Sequence, residues 1–221
     1  MVQLKRILRL GVPAGAQSGC FSISNMVVQS GINAFGVAAV AGVSAGLHIE
    51  HLLYSFVFSM HHTTIAVIGQ NYGAKQYHRV IKAIYICACT AFISTIVAGY
   101  TLLYFAPQLA SVFTNDPEVI RFAVVRAHEM FTVYFLLAFM DVSTGAARGL
   151  GSTLIPAIST LAGTCGLRVL WVKIALRYFH TVESILWAYP ISWVAVTICN
   201  AILLIHICRK FPKKQKTLTA R

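Results

Sequence analysis

Glu50, Tyr54, Val57 and His61 follow one another at offsets of 4, 7 and 11 residues, a spacing that places them on one stripe of a helix. A carboxylate and an imidazole on one apolar stripe have proton chemistry open to them, because burial can bring both ionisations into the accessible pH range. Tyr134, Asp141 and Arg148, spaced 7 apart, form a second stripe, with Gly145 between the last two. Asp141 is suited either to exchange a proton or to coordinate sodium. Inside an apolar run an acid is costly and therefore functional by default. The other reading, for both acids, is a neutral buried carboxyl or a structural pair with Arg168, the one base deep in a later run. Glu129 is shallower, and Asp116, Glu118 and Glu183 belong to loops.

Other constellations argue for less. "HIEH", His48 to His51, lacks the H-E-x-x-H spacing that puts two imidazoles on one helix face, and adjacent His61 and His62 diverge by about 100°. No metal site is expected, and no cofactor. "GVSAG", Gly42 to Gly46, fits the G-x-S-x-G pattern of a nucleophile elbow, but that motif needs a strand before it and a helix after it. It defines the enzymatic alternative, an intramembrane serine hydrolase using Ser44 with a histidine such as His206. The 6 cysteines all lie in or beside apolar runs. They read as small buried hydrophobes rather than as a disulfide framework or zinc ligands.

The elements that must hold these residues are membrane spans. The 221 residues are 57% hydrophobic and 11% charged, with a mean hydropathy of +0.72. That leaves too little polar material to cover a soluble globule. Apolar runs long enough to cross a hydrocarbon core of about 30 Å recur along the chain. They predict an all-α integral membrane fold of six transmembrane helices over about 7–32, 37–69, 81–105, 122–146, 154–176 and 185–207. The first run is too long for a signal h-region and reads as a retained span. A basic tail follows over 209–221.

An excess of 18 Lys and Arg over 6 Asp and Glu would suggest nucleic acid in a soluble protein. Here it sorts by side and implies no nucleic acid. Lys5, Arg6, Arg9, Lys75, Arg79, Lys82, Arg148 and the tail fall on one face; Arg121, Arg126, Lys173 and Arg177 fall on the other. The positive-inside rule then makes both termini cytoplasmic, in the plasma (inner) membrane, and gives the tail an affinity for anionic lipid. Gln17, Asn25, Gln29 and Asn33 sit badly against lipid, so they are expected to face other helices or a cavity. Gln17, Asn25 and Gln29 with Tyr54, Phe58 and Tyr134 form the expected substrate cavity, the aromatic rings offering cation–π contact to a small organic solute.

"RLGVPAG", "VVQSGINAFGVAAVAG", "IGQNYGAKQ", "FTNDPEVI" and "ARGLGSTLIPAI" occur in that order between Leu8 and Leu204. Together they resemble the MATE (multidrug and toxic compound extrusion) family of transporters. That resemblance implies the carboxy-terminal six-span lobe of a two-lobe, 12-span antiporter, exporting organic and often cationic compounds in exchange for H+ or Na+. It also implies a partner, either an amino-terminal lobe or a second copy of this chain. A lobe alone would be a non-transporting truncated form. The family's coupling glutamate in the first span corresponds here to Phe21, and its acid in the fourth span to Leu137. Asp141, one helical turn further on, is the expected substitute, with Glu50 and His61 as the other coupling residues.

Overall fold

The structure is a computed structural model that describes residues 19–209 and Phe211, and its regular elements are all helical. Helix α1 covers 19–33 among the described residues. Gly11, Gly15 and Gln17 lie outside them. The chain then turns at Gly36, whose φ of 90° is left-handed, a conformation that costs glycine little. α2 runs from Val37 to Gly73, 37 residues or about 55 Å, so it must project beyond the hydrocarbon core on at least one side.

α3 (Tyr77–Tyr104) returns antiparallel and is followed by short α4 (Ala106–Ser111) inside the longest connection. α5 (Pro117–Phe131) starts where the sequence supplies an N-terminus. Asp116 accepts from the Glu118 N–H at 2.9 Å and Pro117 fills the first turn. α6 covers Tyr134–Gly149, α7 Leu154–Leu161, a π-helical stretch Ala162–Leu167 leads into α8 (Arg168–Tyr178), and α9 (Val182–Leu186) precedes α10 (Ala188–Cys208).

Among the described residues four helices are long and apolar enough to cross a membrane: Val37–Gly73, Tyr77–Tyr104, Leu154–Tyr178 and Val182–Cys208. The pair α5 and α6 makes a fifth if counted as one span. The expected span 7–32 falls largely outside the described residues. The expected continuous helix over 122–146 is corrected: it begins earlier, at Pro117, and breaks at Thr132–Val133 with a bend of 49°. No proline or glycine marks that break. Thr132 donates its hydroxyl back to the His128 carbonyl at 2.8 Å, a contact that bends helices.

α2 is the spine, packed against α5, α6 and α3. Ile49, Leu53 and Val57 of its inner face meet Met130, Phe131 and Tyr134 in the main core. α2 packs closely on α5 at Gly42, where a Cβ would meet the Val119 carbonyl and, at 2.5 Å, the Phe122 Cβ. Outer surfaces divide by chemistry. α3 exposes Ile86, Ile93 and Val97, and α10 exposes Ile198, Ile202 and Ile205, faces suited to lipid. α2 instead exposes His48, His51, Ser55, Ser59 and His62, a stripe that lipid would not solvate.

Just beyond the end of α2 the left-handed residue is Lys75 (φ 59°), while Gly73 closes the helix. Asn71 donates its amide to the Val67 carbonyl at 2.8 Å. The basic tail contributes a buried group that its composition does not announce. Phe211 stacks on Tyr77 at 4.9 Å and leans on Tyr72 at 6.1 Å.

Candidate functional site

α2 carries Glu50 and His61 inward three turns apart, and each finds a different partner. At His61 the spine meets α6 where Gly145 lets the backbones approach; a Cβ there would stand 2.9 Å from the His61 carbonyl. His61 Nδ1 lies 2.9 Å from the Asp141 main-chain carbonyl oxygen and 3.7 Å from the Asp141 Oδ1. A carbonyl only accepts, so this bond requires the tautomer with hydrogen on Nδ1. The Asp141 carboxyl sits beside the imidazole without receiving that hydrogen. His61 is buried and Asp141 half-buried.

At Glu50 the spine meets α5. Arg126 donates from Nη2 at 2.7 Å and from Nε at 3.1 Å, both to Glu50 Oε2. Arg126 is 2% exposed. Its pairing with Glu50 corrects the choice of Arg168 as that acid's charge partner. Arg168 donates instead to Ser192 Oγ at 3.0 Å and to Asn25 Oδ1 at 3.1 Å. The two guanidinium groups share the Tyr189 ring, at 5.5 Å for Arg126 and 4.5 Å for Arg168. The buried pair and the second cation therefore tie α1, α2, α5, α8 and α10 together.

The expected cavity residues separate. Tyr54 and Phe58 are 40% and 50% exposed and continue into a ladder along α2, with Tyr54–Phe58 centroids 6.0 Å apart and Phe58–His62 4.6 Å apart. Asn25 is engaged by Arg168, and Gln29 donates to Asn33 at 3.4 Å. Tyr134 is corrected: it is fully buried, edge-on to Phe131 and Trp193, and lines no open surface. Arg148 stands half-buried in the last turn of α6. Sequence reasoning missed Arg126 and Tyr189. The "TNDPE" cap is the available signal for Arg126, since a helix opening at Pro117 carries that arginine nine residues inside.

The elbow geometry required of a hydrolase is absent at Ser44. It lies within α2, preceded and followed by helix, and its hydroxyl donates to the Val40 carbonyl at 2.7 Å.

Helices of spanning length packed around a spine that turns a polar face outward mark a multi-pass helical membrane protein. The chain belongs to the MatE family, whose model matches residues 13–174. The family consists of transporters, not enzymes.

Among relatives, a "Probable multidrug resistance protein NorM" of Thermotoga maritima is 25% identical over 176 residues, 80% of this chain and 38% of the relative. A "FAD transporter" of Shewanella oneidensis is 24% identical, over 92% of this chain and 45% of its own length. The chain thus spans less than half the length of these curated relatives. Inward- and outward-facing structures of a multidrug resistance MATE family transporter match with TM-scores of 0.83 and 0.84, at 20% and 21% identity. Each match covers 95% of this chain, and 49% and 48% of the respective structures.

Proposed function

We propose that the chain is one six-span lobe of a secondary antiporter that exports organic, cationic or amphiphilic compounds in exchange for H+ or Na+. The observation that carries this reading is the Asp141 carboxyl held against His61 between two spans, with the spine that carries His61 turning a polar face outward. Ion loading at Asp141 changes the charge at the α2–α6 contact, and a solute that prefers one conformation competes with the ion through that two-state element. The near-equal match to inward- and outward-facing structures supports a lobe that moves as a unit. Protons suit the site better than sodium, because its nearest partner is an N–H donor and hard cations require clustered oxygen ligands.

The exposed ladder Tyr54, Phe58 and His62 supplies apolar and cation–π contact for the solute. The polar spine face is where an amino-terminal lobe or a second copy would complete the cavity. Both termini are cytoplasmic on this reading, with the basic tail on anionic lipid. Ethidium efflux from cells producing this chain with its partner lobe tests it: Asp141→Asn should abolish exchange while assembly persists. Full exchange by that variant would refute the coupling role, and no efflux by any assembly would leave a non-transporting lobe.

A further inference from the structure

α2 and α3 leave a cleft of about 260 Å³ between them, lined by Met60, Thr63 and Val67 of α2 and by Ala83, Ile86 and Thr90 of α3. Its walls are almost wholly apolar. Thr63, Ile86 and Thr90 are exposed and Ala83 is buried, so the cleft opens on the outside of the bundle. Ile93 and Val97 continue the exposed apolar face of α3 beyond it. From Ala83 to Thr90 the cleft follows α3 for about 10 Å, two-thirds of the roughly 15 Å of hydrocarbon in one leaflet.

One end of this cleft is charged. Arg79 precedes Ala83 by one turn, in the series 79, 83, 86, 90 that helical spacing puts on one face of α3, and Lys82 precedes Ile86 by one turn on the flank of that face. Both are exposed, as is Lys75 in the turn before α3. Side chains lean toward the N-terminus of their helix, which for α3 is Tyr77, so both cations lean toward the boundary where the apolar run ends. No acid offsets them. The sequence has none between Glu50 and Asp116, and among the described residues no carboxylate pairs with Lys75, Arg79 or Lys82. Arg209 caps α10 at the same end, where Cys208 packs on the cluster holding Tyr77 and Val80.

An apolar cleft that ends in cations without acids fits an amphiphile with an acidic head. A cationic solute would be repelled by Arg79 and Lys82, and a zwitterionic head would bring an ammonium with no acid to receive it. A soluble anion would make no use of the apolar walls. We propose that the α2–α3 cleft holds one anionic glycerophospholipid, with an acyl chain between Met60, Val67, Ile86 and Thr90 and the phosphate held by Arg79 and Lys82. The guanidinium supplies a planar fork for two phosphate oxygens and the ammonium a point charge beside it. The lipid then lies along the seam that joins the second half of the spine to α3. The site does not depend on antiport; it needs only that these helices cross a bilayer.

Native mass spectrometry of the purified chain in detergent, titrated with phosphatidylglycerol or with phosphatidylcholine of the same acyl chains, tests this. One phosphatidylglycerol per chain should be retained, and phosphatidylcholine should not. A basic residue at a membrane surface contributes about fivefold in affinity, so Arg79→Gln/Lys82→Gln should weaken retention roughly 25-fold. Thr90→Trp fills the deep end of the cleft from an exposed position and should also weaken retention, although no charge changes. Lys173→Gln/Arg177→Gln removes two exposed cations elsewhere and should retain the lipid like the native chain. So should Lys213→Gln/Lys214→Gln in the tail.

Equal retention of the two lipids would overturn the proposal. So would equal weakening by Lys173→Gln/Arg177→Gln, the mark of total charge rather than a site, or a loss found only in the tail variant. Displacement of the lipid by glycerol phosphate at the same concentration would show a head-group contact without an acyl chain, and would overturn it as well. Retention unaltered in Thr90→Trp would remove the cleft from the account. Should Thr90→Trp fail to fold, phosphatidylglycerol with a photoreactive acyl chain decides on the native chain. Cross-links within 60–67 and 83–90 support the site, and cross-links confined to other segments overturn it.

Discussion

His61 gives its Nδ1 hydrogen to the main chain of Asp141 at 2.9 Å, while the carboxyl of the same residue stands 3.7 Å away. The imidazole thus fixes the position of α6 and leaves the acid available. Its two functions can be separated by substitution. His61→Gln keeps an amide donor for the carbonyl and removes the titration, so it should assemble and melt like the native chain. Its transport should lose the pH dependence expected of an imidazole between about pH 5 and 8. His61→Ala, lacking the donor as well, should lower thermal stability by about 1 kcal/mol, as one missing hydrogen bond does. A normal pH profile in His61→Gln would confine this histidine to a packing role.

The Glu50–Arg126 pair makes a different demand. Removing one partner of a buried pair costs about 3–5 kcal/mol because the other charge is left uncompensated, whereas replacing both by apolar groups is often neutral. Arg126→Leu should therefore destabilise the chain severely, and Glu50→Leu/Arg126→Leu should recover much of the loss. Thermal unfolding of the single and double variants in detergent checks this. If the double variant is no better than the single, the pair is not what holds α2 to α5.

Much of this is legible in the residues, and the reasons for the failures are physical. Apolar length alone predicts spans at 37–69, 81–105, 154–176 and 185–207, and helices Val37–Gly73, Tyr77–Tyr104, Leu154–Tyr178 and Val182–Cys208, each long and apolar enough to cross a membrane, overlap those ranges. Helical spacing puts Glu50, Val57 and His61 on one face, and all three are buried. Spacing does not say what that face will meet. Arg126 lies 76 residues from Glu50, and only the packing of α5 on the small residues of α2 brings them together. The bend at Thr132–Val133 stays hidden because it rests on a threonine bonding its own helix, not on proline or glycine. The stripe shared with Asp141 points Tyr134 to a cavity, but the bend turns it into the core.

Close approach of α2 to α5 predicts opposite outcomes at two glycines. Gly42→Ala drives a methyl into the Val119 carbonyl and the Phe122 Cβ, and should cost about 1–3 kcal/mol as overpacking does. At Gly73, whose backbone is helical, an added Cβ would meet no atom of the described residues within 4 Å. Gly73→Ala should be neutral or stabilising, by up to about 1 kcal/mol. Melting curves of the two variants, compared side by side, test whether the small-residue seam or glycine content as such governs stability.

Phe211 connects the basic tail to the cytoplasm-facing turn proposed between α2 and α3. It is 2% exposed and stacked on Tyr77 at 4.9 Å, so Phe211 itself is held against the start of α3. Phe211→Ala removes a buried aromatic, a change that costs about 3–5 kcal/mol in a well-packed core. Here the loss should fall on the local cluster of Tyr72, Tyr77 and Ile68, with the spans left intact. Trypsin should then cut at Lys210 and Lys213 much faster in Phe211→Ala than in the native chain, while Phe211→Tyr, which keeps the ring stack, should resist. Equal cleavage rates in the native chain and Phe211→Ala would show that the aromatic contact does not hold the tail.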